Sequence, residues 1–199
     1  MTDIPKYAYP EPIPVEQRRW PESRITTSPI WCSVDLRDGN QSLPNPLNPE
    51  QKLEYFTLLC AIGFEHIEVA FPSASQDDFN FTRRLIEEGH IPDTVFIMGL
   101  TQCREPLIDR TFEAFEGARR GIVHAYTATS DLHMKQVFGL DRQGTLEMIR
   151  RSVEQIRDRA SAMPDSDIRL EFSPEEFTDT DLSFALDACE ASVLELTGR

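Results

Sequence analysis

Residues 30–71, IWCSVDLRDGNQSLPNPLNPEQKLEYFTLLCAIGFEHIEVAF, determine the architecture, because they contain one complete strand–helix–strand unit. The apolar run at residues 30–36 predicts a buried strand, and the run at residues 66–71 predicts a second one. A helical crossover between two such strands is typical of strands that lie parallel in one sheet.

The helix between these strands has clear boundary signals. Asn48 is suited to cap its first turn, Pro49 fits the first helical position, and Gln51 completes a capping-box pair with Asn48. Gly63 supplies the left-handed residue that commonly follows a helix. The sequence therefore predicts a helix that begins after Asn48 and ends at Gly63.

The same alternation repeats along the rest of the chain. Five β-α units predict parallel strands covered by helices, either as a doubly wound sheet or as a (β/α)8 TIM barrel. No Gly-x-Gly-x-x-Gly or P-loop motif follows a strand, which excludes the main dinucleotide- and nucleoside-triphosphate-binding classes. Polar residues cluster where the strands end, as they do at the active-site face of barrel enzymes, so we predict the barrel. Further strands are predicted at residues 94–100, 121–126 and 167–172, and further helices at residues 75–88, 105–119, 141–162 and from about 180.

The length indicates only part of such a barrel. Residues 30–199 hold five units of roughly 34 residues each, whereas eight units would need about 270 residues. We therefore expect residues 30–199 to form a partial TIM-barrel catalytic domain of about five βα units. Residues 1–29 are rich in proline and show no period, which predicts an extended N-terminal arm.

Composition and charge narrow the functional classes. The 199 residues carry 34 acidic and 20 basic side chains, a formal net charge of −14, which argues against a nucleic-acid-binding protein. No apolar run approaches the roughly 20 residues that a membrane span needs, and the first residues do not form a secretory signal. We therefore expect a cytoplasmic protein with no membrane or nucleic-acid partner, whose four scattered cysteines are reduced thiols.

The motif with the most chemistry follows the first predicted strand. Residues 35–42 read DLRDGNQS and place a cation, a carboxylate and an amide together. Asp38 is a hard oxygen ligand suited to Mg²⁺, Mn²⁺ or Zn²⁺, and Arg37 can stabilise a developing oxyanion beside such a metal. A single carboxylate does not define a metal site, however, and an Arg–Asp pair that braces a turn fits the same residues. The residues alone leave both interpretations open.

A family resemblance goes further than these patterns. The stretch WCSVDLRDGNQSL resembles the first-strand signature of the α-isopropylmalate synthase family, a group of acyl-CoA-condensing barrels related to homocitrate and citramalate synthases. The similarity is greatest to the longer, second-type branch, which carries a Pro-rich arm before the barrel. It extends from Trp20 to about Ala191 and continues through residues 63–93, 100–131, 137–142 and 171–190.

The resemblance implies roles for three residues of the first motif. Arg37 matches the arginine that polarises the ketone oxygen and steadies the enolate or alkoxide. Asp38 matches the carboxylate ligand of a divalent metal, with Mg²⁺ expected and Mn²⁺ or Zn²⁺ as alternatives. Gln41 matches an amide that lines the keto-acid pocket.

The resemblance also assigns residues on later strands. His124 matches a histidine at the substrate pocket, Ser173 matches a substrate-site residue, and Glu175 matches a group suited to proton transfer or to orienting water. From the residues alone, His124 equally fits a satisfied core histidine, and Glu175 fits the first turn of a helix. Glu68 carries a charge on a buried strand, which requires a partner, and we expect it to pair with Arg37.

The reaction implied by the resemblance is the first committed step of leucine biosynthesis. Acetyl-CoA and 2-oxoisovalerate condense, with water, to 2-isopropylmalate and CoA. Both substrates are small molecules, and the resemblance implies a homodimer for the full-length protein.

One family feature has no counterpart in this sequence. The remaining metal ligands of the family are two histidines in an H-x-H pair, and the four histidines here form no such pair. We therefore expect these 199 residues to be inactive by themselves. Two other classes stay open: a non-catalytic fragment that acts as an assembly module, and a related metal-dependent enzyme, either a C–C lyase or a homocitrate or citramalate synthase.

Overall fold

A computed structural model describes residues 27–197, in which five parallel strands alternate with helices. The strands pair in the order β1-β2-β3-β4-β5, so each strand lies beside the next one along the chain. A doubly wound sheet would reverse this order at a switch point, whereas a barrel keeps it. The predicted fold class, a (β/α)8 barrel of which about five units are present, is therefore confirmed. The strands are β1 (Cys32–Ser33), β2 (His66–Ala70), β3 (Phe96–Gln102), β4 (Arg120–Ala128) and β5 (Asp167–Glu175).

Six α-helices lie in the described part of the chain: α1 (Pro49–Ile62), α2 (Gln76–Glu87), α3 (Glu105–Phe115), α4 (Asp131–His133), α5 (Arg142–Ser161) and α6 (Leu182–Thr197). The boundary signals of α1 are confirmed. The Asn48 side chain accepts a hydrogen bond from the Gln51 amide at 2.9 Å, and the Gln51 side chain accepts one from the Asn48 amide at 3.0 Å. Gly63 follows the helix with a φ of 103°. None of the helices in residues 27–197 is long and apolar enough to cross a membrane.

The first strand is much shorter than predicted. The sequence predicted a strand over residues 30–36, but β1 ends at Ser33 and the chain enters a π-helical turn, Asp35–Gly39. Three successive amides of this turn donate to the Val34 carbonyl at 2.9–3.3 Å. The Ser33 hydroxyl donates to the Asp35 carboxylate at 2.6 Å, a local bond that competes with continued strand pairing. The strand prediction was therefore wrong beyond Ser33.

Other differences lie at the connections. The helix predicted to end at residue 119 ends at Phe115, because Gly117 adopts a left-handed conformation with a φ of 79°. The sequence also missed α4, a second π-helical turn at Met134–Phe138 and a 3₁₀ turn at Phe177–Asp179. The arm predicted for residues 1–29 lies outside the described residues up to residue 26, so the domain boundary stays a prediction.

The two faces of the sheet have different compositions. On the outer face, Ile97 and Val123 join the main hydrophobic core beneath the helices. On the inner face, Phe96, Met98 and Ile122 form a separate small cluster near the amino ends of the strands. Because side chains alternate along each strand, the residues that follow on the inner face point into the space that a barrel would enclose. There Glu68, His124 and Ser173 bring polar side chains together.

A tight approach of α3 to the sheet generates a stability prediction. A Cβ atom added at Gly121 would lie 2.8 Å from the Phe115 ring and 3.0 Å from Ile168. We expect Gly121→Ala to lower the free energy of unfolding by about 1–3 kcal/mol, because the ring must move out of a filled core. Urea unfolding measures the change. The control is Gly39→Ala, where the new Cβ would lie at 3.8 Å or more from its neighbours and the free energy should stay unchanged.

Candidate active site

Arg37 is fixed at the inner face by two carboxylates. Its Nε donates to Glu68 Oε1 at 2.5 Å, and its Nη1 donates to Asp38 Oδ1 at 3.1 Å. The side chain is only 16% exposed. Among residues 27–197 no hydrogen-bond partner is found for its Nη2, so this group is free to donate to a bound molecule. The expected pairing of Arg37 with Glu68 is therefore confirmed.

Glu68 is the most buried charged group of this site. Its side chain is fully inaccessible, yet it accepts hydrogen bonds from Arg37 and from His124 Nδ1, the latter at 2.5 Å. Burial alone would raise the pKa of this carboxyl group, but the hydrogen bonds and charges of His124 and Arg37 outweigh burial and lower the pKa below its ordinary value of 4.5. Glu68 is therefore an ionised carboxylate held between two cationic or donor groups.

His124 connects three strands of the inner face. Its Nδ1 faces Glu68 on β2, and its Nε2 lies 2.8 Å from the Ser173 hydroxyl on β5. Because an ionised carboxylate only accepts hydrogen bonds, Nδ1 carries a proton, and Nε2 accepts from Ser173 if the ring is neutral or donates to it if the ring is charged. A second carboxylate, Glu171, lies 3.7 Å from Nε2. The four residues Arg37, Glu68, His124 and Ser173 thus form a continuous hydrogen-bonded series, called here the inner-wall chain.

The remaining predicted site residues are more exposed. The Asp38 side chain is 61% exposed and pairs with Arg37, and Gln41 is also exposed. Glu175 lies at the carboxyl end of β5. With Tyr126 and other residues at the ends of β3 and β4, Glu175 lines a cavity of about 80 Å³. The structure therefore brings Arg37 directly onto the inner-wall chain and leaves Gln41 and Glu175 outside it.

Tyr126 is under the electrostatic influence of both Arg37 and Glu175. Burial is the main reason why the pKa of its phenol is raised, and the Glu175 charge raises it further. A hydrogen bond from Gln102, at 2.9 Å, and the charges of Arg37 and Arg104 act in the opposite direction. Glu175 and Tyr126 therefore line one cavity, and the charge of Arg37 also acts on this phenol.

The sequence-based set did not include Tyr126 or Gln102. Gln102 is the last residue of β3. Tyr126 lies two positions before the end of β4 and follows His124 by two positions, so strand alternation would have placed it on the same face. That signal needs the sheet to be known first, because aromatic and amide side chains are common at strand ends without any function.

The described residues do not complete a metal site. Within residues 27–197 no group of three or more His, Cys, Asp and Glu side chains is close enough to hold a metal ion. Asp38 offers one carboxylate, whereas a hard divalent cation takes about six or more oxygen ligands. The metal predicted at Asp38 is thus not supported by a full donor set in this part of the chain.

The region that contains these residues also matches known proteins. A family model described as HMGL-like matches residues 28–194, which include the whole inner-wall chain. The chain belongs to the HMGL-like family. Among HMGL-like relatives, the 2-isopropylmalate synthase of Rhodospirillum rubrum is 49% identical over 187 residues, which are 94% of this chain and 34% of the relative.

Two further relatives match this chain with similar identity and over a similar share of its length. The 2-isopropylmalate synthase of Ralstonia nicotianae is 50% identical over 186 residues, which are 94% of this chain and 32% of the relative. That of Agrobacterium fabrum is 48% identical over 194 residues, which are 97% of this chain and 35% of the relative. This HMGL-like chain therefore spans about a third of the length of the curated relatives it matches.

The lowered pKa of Glu68 predicts a pH-dependent stability. The folded-state pKa lies below the ordinary value, so the carboxylate contributes stability above pH 4.5 that is lost as the pH falls through the folded-state pKa. We expect the free energy of unfolding of the wild type to fall more steeply below pH 4.5 than that of Glu68→Gln, which cannot ionise. Urea unfolding between pH 7 and about pH 3 measures both slopes. Parallel slopes would contradict the prediction.

Proposed function

We propose that this chain is part of the catalytic region of a 2-isopropylmalate synthase. The reaction condenses acetyl-CoA with 2-oxoisovalerate and water to 2-isopropylmalate and CoA. The observation that carries the proposal is the inner-wall chain, which presents a fixed guanidinium and an oriented imidazole on the barrel face. The identity of about 49% to such synthases, over 94% of the chain, supports the choice of this reaction over others of the family.

Arg37 is proposed to stabilise the charge that develops on the ketone oxygen. An oxyanion is stabilised best by donors that are already in place and do not have to reorganise. Arg37 meets this requirement because Glu68 and Asp38 hold two of its nitrogens, which leaves Nη2 for the substrate. Gln41 is proposed as an amide at the edge of the same keto-acid pocket.

His124 and Ser173 are proposed to bind the keto acid. In the neutral imidazole the Ser173 hydroxyl donates to Nε2, but in the imidazolium Nε2 donates to Ser173. The hydroxyl proton of Ser173 is then available for a carboxylate or ketone oxygen. Glu68 accepts from Nδ1 in both forms of the ring and so keeps the imidazole oriented.

Glu175 is proposed as the group that transfers protons. It is an exposed carboxylate at the end of β5, on the cavity that it shares with Tyr126. A carboxylate there is suited to take a proton from the acetyl methyl group, or to orient the water that hydrolyses the thioester. Arg37 stabilises the negative charge on the ketone oxygen, whereas Glu175 handles the proton of the acetyl methyl group or of the attacking water.

Among the described residues, we propose Asp38 alone as a ligand of a divalent metal. Mg²⁺ is the proposed ion, with Mn²⁺ or Zn²⁺ as alternatives, and such an ion supplies Lewis acidity to the keto acid. The described residues contribute a single carboxylate to it, so the roles above are assigned to side chains alone. We further propose that the full-length protein is a cytoplasmic homodimer that acts on small molecules, and the net charge of −14 of these residues is consistent with the absence of a nucleic-acid partner.

An assembly module is a second possibility with one observation in its favour. In the described residues β1 and β5 are the two edges of an open sheet, and edge strands pair readily with other chains. Light scattering after size exclusion separates the cases. A complex with a polypeptide that supplies further strands, without keto-acid binding by this chain, would favour the module.

Keto-acid binding tests the role of Arg37. We expect 2-oxoisovalerate to bind the chain saturably, as followed by NMR of the ligand, and Arg37→Ala to weaken binding by about tenfold or more, because a charge-assisted hydrogen bond is lost. The matched control is Arg110→Ala, which removes a half-buried arginine that pairs with Glu113 and Gln76 on the helix layer, away from the inner face. Equal binding by the two variants would contradict the proposed site.

Turnover with a substrate panel tests the reaction itself. Because the 199 residues are expected to be inactive by themselves, CoA release from acetyl-CoA is measured on a fusion of this chain to the remaining two thirds of the Rhodospirillum rubrum relative, with Mg²⁺ and with 2-oxoisovalerate, pyruvate or 2-oxoglutarate as the acceptor. We expect 2-oxoisovalerate to be preferred, and Glu175→Gln to lower kcat by about 10²–10⁴-fold with little change in KM, because a proton-transfer group is removed. Preference for another keto acid would assign a related synthase, and cleavage of 2-isopropylmalate without condensation would assign a lyase.

A further inference from the structure

The residue after Glu175 has an unusual backbone. Glu176 adopts a φ of 58° and a ψ of 38°, and it is the one non-glycine residue with a positive φ in the described part of the chain. This left-handed conformation is disfavoured for a residue with a side chain and persists where the surroundings enforce it. A glycine would suit the turn better, so the presence of glutamate indicates that its side chain has a role.

The Glu176 carboxylate joins two loops at the carboxyl ends of the strands. It accepts a hydrogen bond from the Ser130 hydroxyl, and one oxygen lies 2.8 Å from His133 Nδ1. Ser130 and His133 both belong to the connection between β4 and α5. The hydrogen bond from Ser130, together with the bond and charge of His133, lowers the pKa of the Glu176 carboxyl group against the opposing effect of burial.

Two buried threonines hold the same turn from its other side. The Thr129 amide and hydroxyl donate to the Glu175 carbonyl at 3.1 and 3.2 Å. The Thr180 hydroxyl donates to the Glu176 carbonyl at 2.9 Å and lies 2.8 Å from the Thr129 hydroxyl. Both peptide groups that flank the turn are therefore fixed, one on each side of Glu176.

We propose that Glu176 is a positioning residue for Glu175. Its carboxylate ties the end of β5 to Ser130 and His133, and this tie maintains the backbone conformation that sets the direction in which Glu175 leaves the strand. The set formed by Thr129, Ser130, His133, Glu176 and Thr180 is called here the Glu176 clamp. The functional part of this inference rests on the proposed role of Glu175, whereas the clamp itself rests on the geometry above.

Hydrogen exchange on the full chain tests the clamp without any need for turnover. Glu176→Gly removes the carboxylate and at the same time relieves the disfavoured φ. We expect the Thr129 amide, whose acceptor is the Glu175 carbonyl, to exchange about tenfold or more faster, while the Ala125 amide in the middle of β4 and the urea midpoint stay unchanged or rise. An unchanged Thr129 amide, or equal acceleration of every amide, would overturn the proposal.

Three further variants separate the contributions of the Ser130 hydrogen bond, of the Glu176 side chain and of the neighbouring Glu175 side chain to the protection of the Thr129 amide. Ser130→Ala removes one hydrogen bond and should accelerate the Thr129 amide less than Glu176→Gly does. Glu176→Gln keeps the length and the Ser130 contact and should restore most of the protection. Glu175→Gln is the matched control, because it changes the neighbouring side chain and leaves its carbonyl in place.

Turnover then decides whether the clamp serves catalysis. In the fusion with the remaining part of the relative, we expect Glu176→Gly to lower kcat for CoA release by about tenfold with KM for 2-oxoisovalerate unchanged, and Glu176→Gln to recover most of the loss. Faster exchange at Thr129 with an unchanged kcat would overturn the positioning role. Absence of turnover in the wild-type fusion would count against the proposed function, and the exchange experiment on the 199-residue chain would still decide whether the clamp exists.

Discussion

The burial of one carboxylate, that of Glu68, constrains the rest of the inner face. An ionised group without access to water is tolerated only if donors surround it. Glu68 lies on β2, and its donors come from the turn after β1 and from β4, so the cost of burial is offset only when all three segments are in place. The same bonds immobilise Arg37 and fix the tautomer of His124, which in turn orients Ser173. Stability and the arrangement of the chemical groups therefore depend on the same contacts.

Much of the fold could be predicted because its signals are local. The helix that begins after Asn48 is specified by a cap, a proline and a glycine within sixteen residues, and the structure has each of them in the expected position. The failure at β1 has an equally local cause that composition does not reveal. Residues 30–36 are apolar enough for a strand, but a serine and an aspartate two positions apart hydrogen-bond to each other and turn the chain after Ser33.

The candidate site was predictable only in part, because its key contacts join distant segments. Arg37 and Asp38 were singled out by their own motif, the family resemblance assigned roles to them and to His124, and a pairing of Arg37 with Glu68 was expected from the need to compensate a buried charge. The contact between Glu68 and His124 spans 56 positions and has no sequence pattern of its own. Glu176 could not have been recognised either, since its significance lies in a backbone angle, and neighbouring glutamates are common at helix starts.

The strictly sequential strand order has a consequence for how the chain is made. Each strand of the described sheet pairs with strands adjacent to it along the chain, so backbone pairing needs no distant segment, although Glu68 on β2 meets its His124 partner only when β4 has docked. During synthesis, the strand of each βα unit that leaves the ribosome pairs with the exposed edge strand of the preceding unit. The growing sheet nonetheless exposes an unpaired edge at every stage, which makes the nascent chain a natural client for chaperones until that edge is covered.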